Sequence, residues 1–373
     1  MNNAVSIWEK QSFLKADVII VGAGISGLST AASLKEKDPS LSIIILEKGI
    51  LPSGASTKNA GFACFGSLSE LENDVGELGE EGTVVLVEQR FEGLEKTSAR
   101  LGRAVIDLQL KGGYELIFHK DSTEHRIARM NELLKPLFQE DVFASASDEL
   151  KKFGFGNTQQ LVKNKYEGQL DTGKLMSALW HYVSELGVRI LTGADVEQVE
   201  EDHHTIRVRA ADQWFTTNKL AYCTNAFTQD VSDAPLDIRP GRGMVMSVQT
   251  EIELPFEGTF HYDQGYFYFR DYNRSLLFGG GRNEDFSKEE TSAFGINQKI
   301  RDRLLHDLKT IILPGQQFEI AAEWSGIMAF GKNKSPIIQS IKPNVYVGVR
   351  LGGMGVAIGS LVGEELADLI VSN

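Results

Sequence analysis

The first 47 residues carry the pattern that most constrains the fold, two apolar strands joined by a glycine-rich turn and a helix. The first strand covers residues 16–21 and leads into residues 22–27, which read GAGISG. The second strand covers residues 42–46 and ends at an acidic residue, Glu47. This spacing of strand, GxGxxG turn, helix and acid-tipped strand is typical of a parallel α/β sheet that binds an adenine dinucleotide.

Each glycine of this turn has its own physical task. Gly22 allows the tight turn, Gly24 lets the backbone approach a diphosphate, and Gly27 lets the helix lie close to the strand. The N-terminus of the helix adds N–H groups and partial positive charge, which favour a bound diphosphate. Glu47 follows Gly27 by 20 residues, where a carboxylate can hold both hydroxyls of an unphosphorylated ribose.

Composition narrows the class of protein. A chain of 373 residues exceeds what one hydrophobic core supports, so we expect two domains. A net charge of −13 disfavours nucleic acid and anionic membranes as partners. Two cysteines are too few for a disulfide framework or a structural zinc site. The first 16 residues lack a signal-peptide pattern, and no apolar stretch approaches the roughly 20 residues of a membrane span, so we expect a cytoplasmic protein.

The rest of the chain alternates helical and extended patterns. Leucine and valine spacing predicts helices over residues 68–103, 122–138, 171–186 and 288–308. Extended patterns predict a strand-like pair within residues 108–119, a hairpin of residues 204–209 and 214–217, and strands over residues 187–191, 194–199, 220–224, 244–248, 265–270 and 275–279. A strand, a glycine turn and a helix over residues 344–371 repeat the order of the opening. We therefore expect the dinucleotide domain to gather both ends of the chain.

Further segments carry a resemblance to a known family. Residues 53–62 read SGASTKNAGF and look like a GASxxNAG loop, residues 239–243 read RPGRG and look like an RPxRG turn, and residues 323–327 read EWSGI. Val196 matches the position whose backbone meets the adenine ring in relatives. Together with the opening motif and the closing glycine turn, these segments resemble the D-amino-acid oxidase superfamily of flavoenzymes. That superfamily includes glycine oxidase, sarcosine oxidase and γ-glutamylputrescine oxidase.

The resemblance implies FAD as the cofactor and an α/β fold. In this fold a Rossmann-like FAD-binding domain carries an inserted β-rich (α+β) substrate-binding domain. We assign residues 1–95, 168–230 and 320–373 to the FAD-binding domain and residues 96–167 and 231–319 to the substrate domain. Covalent attachment in the sarcosine-oxidase branch uses a cysteine in the C-terminal third, and this chain has none there. We therefore expect noncovalent FAD, with Cys64 as a buried filler and Cys223 as a structural residue.

Predicted FAD contacts come from both ends of the chain and from the loop after Glu47. The closing glycine turn offers a helix N-terminus whose N–H groups would stabilise the negative charge of reduced flavin. Asn225 follows Thr224 where relatives end the third strand under the cofactor, and asparagine tolerates a left-handed backbone there, as glycine would. The predicted cofactor-binding residues are Gly22, Gly24, Ser26, Gly27, Glu47, Lys48, Ser56, Thr57, Asn59, Ala60, Gly61, Val196, Thr224, Gly353, Met354, Gly355 and Val356.

The predicted substrate side lies in two strands. Residues 266–270 (YFYFR) and 276–281 (LLFGGG) look most like segments of the γ-glutamylputrescine oxidases. Strand alternation puts the phenols and the guanidinium on one face and the two phenylalanines on the other. The polar face is either solvated or lines a polar pocket, and we favour the pocket. The residues predicted to act on the substrate are Tyr266, Tyr268, Arg270 and Arg350.

The chain departs from the amino-acid oxidases of this family at one position. Their WxGLR segment carries an arginine that clamps the substrate carboxylate, whereas residues 324–328 read WSGIM. The thioether of Met328 cannot form the bidentate pair that a guanidinium makes with a carboxylate. Either another cation takes over, with Arg270, Arg350 and Lys332 as candidates, or the substrate has no α-carboxylate.

These observations predict an FAD-dependent oxidoreductase that oxidises the C–N bond of a small-molecule amine or amino acid. The family mechanism moves a hydride from the carbon next to an uncharged amine to flavin N5, and the resulting imine hydrolyses. The alternatives are a dehydrogenase of the same family with a non-oxygen acceptor, a flavin-dependent tRNA-modifying enzyme, and an FAD-binding protein without a substrate site. The net negative charge of the chain disfavours the tRNA-modifying alternative, because RNA is also negatively charged. His203 and His204 fall in a predicted turn, His261 is interpreted as structural, and no metal is proposed.

Overall fold

The computed structural model describes residues 5–120, 123–202 and 205–372. Ser122, at the start of a predicted helix, and His203 and His204, in a predicted turn, lie outside these ranges. The helices of the described residues are α1 (Ile25–Lys37), α2 (Leu68–Leu101), α3 (Thr123–Phe138), α4 (Leu150–Phe153), α5 (Thr172–Glu185), α6 (Phe286–Glu289), α7 (Gln298–Asp307) and α8 (Gly355–Ser372).

The strands follow in chain order. They are β1 (Lys15–Val21), β2 (Ile43–Glu47), β3 (Phe62–Ala63), β4 (Gly113–Ile117), β5 (Phe143–Ser145), β6 (Gln160–Asn164), β7 (Gly168–Gln169), β8 (Arg189–Thr192), β9 (Val196–Asp202), β10 (Thr205–Ala210), β11 (Gln213–Tyr222), β12 (Arg239–Thr250), β13 (Thr259–Tyr262), β14 (Phe267–Tyr272), β15 (Ser275–Gly280), β16 (Phe318–Phe330), β17 (Ile337–Lys342) and β18 (Val345–Val349).

The chain forms two compact units, and each is discontinuous. The first unit comprises residues 1–57, 173–240 and 328–373, and the second comprises residues 58–172 and 241–327. The predicted division differs from this at residues 58–95, 168–172 and 320–327, which it joined to the first unit, and at residues 231–240, which it joined to the second. Helix α2 belongs to the second unit because its buried side chains, among them Leu68 and Val87, share a core with Met130 and Leu134 of α3. The assignment of the units to cofactor and substrate stays a prediction.

A mostly parallel sheet is the centre of the first unit. Its strand order is β17-β18-β11-β1-β2-β8, with β10 and β9 extending it from β11. β1 pairs in parallel with both β11 and β2, and β18 and β8 continue the parallel set. All five residues of β2 are buried, as expected for a parallel strand that is covered on both faces.

Helices α1 and α8 pack tightly together in this unit. A Cβ on Gly359 would lie 2.2 Å from Cγ2 of Ile25, and one on Gly363 would lie 2.5 Å from the carbonyl carbon of Ser29. The hydroxyl of Ser26 donates to the carbonyl oxygen of Gly348, at the base of the last strand, over 2.8 Å. The expectation that both ends of the chain meet in one domain is therefore confirmed.

The second unit contains a large mixed sheet. Its order is β16-β12-β15-β14-β13-β4-β6-β5, and a small antiparallel pair, β3 and β7, lies outside it. The β13–β4 pair is parallel, whereas β12–β15, β15–β14 and β14–β13 are antiparallel. Stacked aromatic rings fill its core, with the centroids of Phe260 and Phe269 4.8 Å apart.

Three of the predicted elements differ from the observed ones. Residues 108–119 contain one strand, β4, because Gln109 makes only an isolated bridge to Gln169. Residues 213–222 form a single strand, β11, where two strands over residues 214–217 and 220–224 were predicted. The helix predicted over residues 288–308 breaks into α6 and α7, because the side chain of Asn297 caps α7 by accepting from the amide of Lys299. Its amide group also donates to Glu289 over 2.8 Å.

No helix in the described parts of the chain is long and apolar enough to cross a membrane. The cytoplasmic location stays a prediction.

Candidate functional site

The parallel strands of the first unit end at one edge of the sheet, where predicted cofactor residues and the predicted substrate residue Arg350 follow them. Gly22 follows β1, Glu47 ends β2, Thr224 comes just after β11, and Arg350 follows β18. In open parallel α/β sheets, ligands bind outside the carboxyl ends of the strands. The fold therefore brings together residues that lie more than three hundred positions apart in the sequence.

The glycine turn has the geometry that its motif predicts. Gly22 has a φ of +99°, and a Cβ on it would lie 2.9 Å from the carbonyl oxygen of Cys223. A Cβ on Gly27 would lie 2.0 Å from the carbonyl oxygen of Gly22, so only glycine lets α1 approach β1 this closely. The tasks assigned to Gly22 and Gly27 are confirmed. A Cβ on Gly24 would lie 2.9 Å from Oγ of Ser56, and the approach of Gly24 to a diphosphate stays a prediction.

The side chains around the start of α1 are already ordered. The amide of Ile25 donates to Oγ of Ser56 over 2.9 Å. The hydroxyl of Thr57 donates to the carbonyl oxygen of Pro52 over 2.5 Å. The side chain of Ser26 is used to fasten α1 to β18, so its predicted contact with the cofactor would have to come from the backbone. This end of α1 retains the dipole and the N–H groups that favour a diphosphate.

Glu47 is held over the glycine turn. Its Oε2 accepts from the amide of Ala23 over 2.8 Å, and its Oε1 accepts from the amide of Gly49 over 3.0 Å. The neighbouring Lys48 is exposed and pairs with Asp195 over 3.2 Å. Val196 is buried at the start of β9. A fixed carboxylate beside the turn fits the ribose of an adenosine diphosphate.

The closing turn contains three residues with left-handed backbone. Arg350, Gly352 and Gly353 have φ values of 64°, 59° and 85°, and Met354 precedes α8, which begins at Gly355 and continues through Val356. Asn225 has a φ of 48°, which confirms that it adopts the left-handed conformation. Its Oδ1 accepts from the amide of Arg350 over 3.0 Å. This hydrogen bond ties the end of β11 to the closing turn.

The side chain of Arg350 holds a neighbouring segment of the chain. Its Nε donates to the carbonyl oxygen of Ser335 over 3.0 Å, its Nη1 to Oδ2 of Asp237 over 2.9 Å, and its Nη2 to Oδ1 of Asn333 over 2.6 Å. The amide of Lys332 and the charge of Arg350 lower the pKa of Asp237. These contacts give Arg350 a structural task, and they do not support its predicted part in substrate binding.

In the second unit, the polar face of β14 packs on the loop of residues 59–62. Arg270 is 3% exposed, and it donates from Nε to the carbonyl oxygen of Ala60 over 2.5 Å and from Nη2 to that of Leu170 over 3.0 Å. The ring of Tyr268 lies 5.3 Å from that of Phe62. The phenylalanines of the other face are fully buried in the core. The predicted alternation is confirmed, and the polar face is not solvated at Arg270.

Two further contacts shape this loop and its surroundings. Oδ1 of Asn59 accepts from the amide of Gly61 and from the hydroxyl of Thr172, each over 2.9 Å. Burial raises the pKa of Tyr268 to about 12, so its phenol stays protonated and can donate. Tyr266 lies just before β14 and is half-buried, with its ring 5.7 Å from that of Phe286.

Met328 lies beside the closing turn of the first unit. Its Sδ lies 3.5 Å from the position that a Cβ would take on Gly353. The departure from the WxGLR pattern therefore concerns a position next to predicted cofactor residues. A guanidinium that could pair with a carboxylate is replaced there by an uncharged thioether.

Both cysteines and His261, which were interpreted from the sequence as structural, are buried. Cys64 and Cys223 are buried free thiols, as predicted, and His261 is buried in β13. Sequence reasoning missed a buried polar cluster around His261, of which Glu167 is the central member. The signals for this cluster are single polar residues within apolar strands, such as Glu115 in β4 and His261 in β13.

The first unit thus has the cradle of a protein that binds an adenine dinucleotide. The glycine positions have no room for a Cβ, a fixed carboxylate stands at the end of β2, and two helices begin at the same edge of the sheet. The residues present fit FAD, with the first turn suited to the diphosphate and the closing turn suited to a group that gains negative charge.

Comparison with known proteins identifies the family. The family described as DAO, FAD dependent oxidoreductase, matches residues 17–369, so this chain belongs to the DAO family of FAD-dependent oxidoreductases. A probable oxidoreductase of Haemophilus influenzae, OrdL, is 22% identical over 389 residues, which cover 96% of this chain and 83% of that protein. The superfamily, the fold class and the FAD dependence expected from the sequence are confirmed.

Solved structures with the same fold are similar over almost their whole length. Glycine oxidase from Geobacillus kaustophilus has a TM-score of 0.78 and 18% identity, over 96% of this chain and 95% of that one. L-proline dehydrogenase from P. horikoshii has a TM-score of 0.77 and 16% identity, over 96% of this chain and 94% of that one. At these identities the likeness establishes the fold alone.

Proposed function

We propose that the protein oxidises the C–N bond of a small amine or amino acid, giving an imine that water hydrolyses. The observation that carries the proposal is the packing of β14 on the loop of residues 59–62. The resemblance to the GASxxNAG loop implies that this loop wraps the pyrophosphate of FAD and passes beside its isoalloxazine ring. Arg270 and Tyr268 both contact the loop from the polar face of β14. Bound FAD supplies a hydride acceptor at N5, so the protein has to orient the substrate and keep its amine uncharged.

Noncovalent binding of FAD is part of the proposal. Burial raises the pKa of Cys223 to about 11 and raises the pKa of Cys64 well above its usual value. Only a thiolate is a good nucleophile, and both groups stay as thiols at neutral pH. The glycine turn, Glu47 and the closing turn offer contacts for FAD that need no covalent bond.

The contacts of the arginines favour an amine without an α-carboxylate. Met328 carries no charge, Arg270 donates to two backbone carbonyls, and Arg350 donates to Asp237, Asn333 and Ser335. A carboxylate would have to compete with these acceptors for the same N–H groups. The uncharged thioether of Met328 offers no counter-charge, and an amine without an α-carboxylate needs none there.

An amino acid is a second candidate because a cation lies near Tyr266. The guanidinium of Arg282 lies 4.9 Å from the ring centroid of Phe286, and Phe286 packs edge-on against Tyr266. Burial lowers the pKa of Arg282, which is the condition under which pairing with an anion gains most. The similar solved structures include proteins named glycine oxidase and L-proline dehydrogenase, and both names denote an amino acid.

Anaerobic titration of the FAD-loaded protein tests the proposal. Matched pairs that differ only by the α-carboxylate, such as pyrrolidine with proline and dimethylamine with sarcosine, are added alongside a panel of diamines. We expect an amine to bleach the visible absorbance of the flavin faster than its amino acid partner. Faster bleaching by the amino acids would favour the second candidate. Peroxide on admitting air identifies an oxidase, and slow reoxidation identifies a dehydrogenase.

Two outcomes would contradict the proposal. One is a purified protein that neither contains nor takes up FAD. The other is a fully FAD-loaded protein that no amine or amino acid in the panel bleaches.

A further inference from the structure

The second unit contains a buried polar cleft that the proposed function does not use. Its lining includes Ser67, Glu115, Asn164, Glu167 and His261, all of them buried. The space among these side chains is too narrow to hold a water molecule. A polar group of this cleft that lacks a protein partner is therefore costly, because water does not reach it.

One carboxylate oxygen of Glu167 holds the loop that precedes α2. Its Oε1 accepts from the amide of Phe65 over 3.0 Å and from the amide of Gly66 over 2.9 Å. From the other side, Nη1 of Arg90 donates to the carbonyl oxygen of Phe65 over 2.6 Å. Strand β7, which begins next to Glu167, pairs with β3 in the same loop. Glu167 thus fixes the backbone just after Asn59–Gly61.

The other carboxylate oxygen faces a histidine. Oε2 of Glu167 lies 3.8 Å from Nε2 of His261, and a Cβ on Gly113 would lie 2.0 Å from the same oxygen. Nε2 of His261 is buried and has no hydrogen-bond partner among the described residues. A carboxylate is an acceptor, and Nε2 of a neutral imidazole is also an acceptor when the ring proton is on Nδ1. They can approach to hydrogen-bond distance only if one of them carries a proton.

We propose that Glu167 and His261 share one proton, carried on Oε2 of Glu167 and donated to Nε2 of His261, and that this neutral pair positions the loop of residues 59–66 for FAD. The positioning of this loop for FAD rests on the proposed function. Glu167 is a positioning residue, because it acts through the loop whose amides at Phe65 and Gly66 it holds.

Electrostatics support this placement of the proton. Burial raises the pKa of Glu167 to about 7 and lowers the pKa of His261 to about 4. Between these values the carboxyl keeps its proton and the imidazole stays neutral, which is the reverse of their order in water. An ion pair would place two charges in a cleft that no water reaches.

The other titratable groups around Glu167 do not reverse the order of the two pKa values, with that of Glu167 above that of His261. Among the charged groups, Glu70 of α2 raises the pKa of Glu167 and Arg90 of the same helix lowers it. Burial raises the pKa values of Cys64 and Glu115, which favours their neutral forms. The phenol-bearing Tyr114 also lines the cleft.

Loss of the proton would disturb the loop. Above about pH 7 Glu167 ionises, and with the ring proton of His261 on Nδ1 two acceptors then face each other across 3.8 Å. The pair must separate or admit water, and Nδ2 of Asn164 and Oγ of Ser67, which lack partners in the described part of the chain, would then bind that water. Because Oε1 also holds Phe65 and Gly66, this rearrangement moves the loop.

The sign of the stability effect follows from the direction of the shift. The folded-state pKa of Glu167 lies above its usual value of 4.5, so its contribution is complete below about pH 4.5 and is lost as the pH rises through about 7. The folded-state pKa of His261 lies below its usual 6.5, so its contribution is lost as the pH falls from about 6.5 through 4. From pH 7 to 8, Glu167 is the member of the pair that titrates.

Histidine NMR tests the shared proton directly. The protein is labelled with carbon-13 at Cε1 of histidine, and the His261 signal is assigned by its loss in His261→Asn. We expect the His261 ring to stay neutral from pH 8 down to pH 5, with a shift of its signal near pH 7 that follows Glu167. In Glu167→Gln, whose amide donates to Nε2 at every pH, we expect that shift near pH 7 to disappear.

The dissociation constant for FAD tests the positioning of the loop without measuring activity. We expect the dissociation constant to rise about tenfold between pH 6 and pH 8.5 in the wild type, since one pKa unit corresponds to a factor of ten. We expect it to stay constant in Glu167→Gln. Glu115→Gln is the matched control, because Glu115 lines the same cleft but accepts from the amide of Ser69. We expect this control to keep the wild-type pH dependence.

Several results would overturn the proposal. A protonated His261 at pH 6, or a shift near pH 7 that persists in Glu167→Gln, would exclude the shared proton, and the first result can be obtained even if the variant does not fold. A pH dependence of FAD binding that Glu167→Gln retains would exclude the positioning role. If the protein binds no FAD, the proposed function and the positioning role fail together, whereas the histidine spectra still decide the shared proton.

Discussion

Two buried arginines of this protein use their guanidinium groups to hold backbone segments. Arg270 fastens the loop at Ala60 and the chain at Leu170, and Arg350 fastens Ser335 and Asp237. A buried guanidinium is stable only when its N–H groups have acceptors, so these contacts remove most of its capacity to bind a substrate anion. At the residue scale, burial decides what a cation can do.

Arg270→Lys separates a structural task from a substrate-binding task. Lysine keeps the charge but cannot reach the carbonyl oxygens of Ala60 and Leu170 together. We expect the free energy of unfolding to fall by about 2 kcal/mol, since hydrogen bonds to charged groups contribute about 1.5–3 kcal/mol. We expect FAD binding to weaken as well, because the loop loses an anchor. Urea unfolding and flavin fluorescence measure the two effects.

Arg274→Lys is the control for this substitution. Arg274 is exposed in the turn between β14 and β15, so we expect its replacement to change neither quantity. A variant Arg270→Lys with normal stability and normal FAD affinity, but a raised KM for the substrate, would show that Arg270 binds the substrate instead.

At the scale of elements, close packing between backbones shapes the first unit. Gly27 lets α1 lie on the turn after β1, and Gly359 and Gly363 let α8 lie on α1. Each of these glycines stands where a Cβ would meet atoms of the neighbouring element at less than 3 Å. The close packing of α1 and α8 therefore depends on glycines, which have no side chain at these contacts.

Gly27→Ala tests this packing. The added Cβ would lie 2.0 Å from the carbonyl oxygen of Gly22, so α1 must move away from β1. We expect a loss of about 1–3 kcal/mol in the free energy of unfolding, the usual cost of overpacking. We also expect FAD binding to fall sharply, because the start of α1 moves with the helix.

Gly76→Ala provides the matched control in a helix. No atom lies within 4 Å of a Cβ at this position of α2, and alanine favours the helix by about 1 kcal/mol over glycine. Thermal unfolding should show equal or greater stability for this control. An equal effect of both substitutions would contradict the assigned role of Gly27.

At the scale of the whole molecule, each compact unit is assembled from separate segments of the chain. The first unit takes its sheet from three segments and the second from two. Neither unit can be completed from one end of the chain, so truncation at either terminus removes part of the first unit. A ligand that binds at the edge of the first unit's sheet should therefore stabilise contacts between distant parts of the sequence.

FAD should raise the thermal stability of the protein in proportion to the logarithm of its concentration. A ligand at 100 times its dissociation constant adds about 2.7 kcal/mol of stability when it binds only the folded state. FMN has no adenosine diphosphate for the first glycine turn and Glu47, so we expect a much smaller shift at the same concentration. Differential scanning fluorimetry of the FAD-depleted protein measures both, and equal shifts would contradict the cradle described for the first unit.

The sequence was sufficient for the features that depend on local pattern. The β1–α1–β2 unit, the closing strand–turn–helix and the left-handed Asn225 were all predictable, because periodicity and glycine spacing are set by the backbone itself. The break between α6 and α7 was not predictable from periodicity. It depends on the side chain of Asn297, which caps α7 and also contacts Glu289.

By itself, the sequence determined the parallel α/β unit, the FAD dependence that its motifs imply, and the alternation of β14. Only the tertiary structure decided that Arg270 and Arg350 serve as anchors and that Glu167 faces His261. The physical reason is desolvation. Whether a charge is free, paired or neutralised depends on which groups surround it, and Glu167 and His261 lie 3.8 Å apart although they are distant in the sequence.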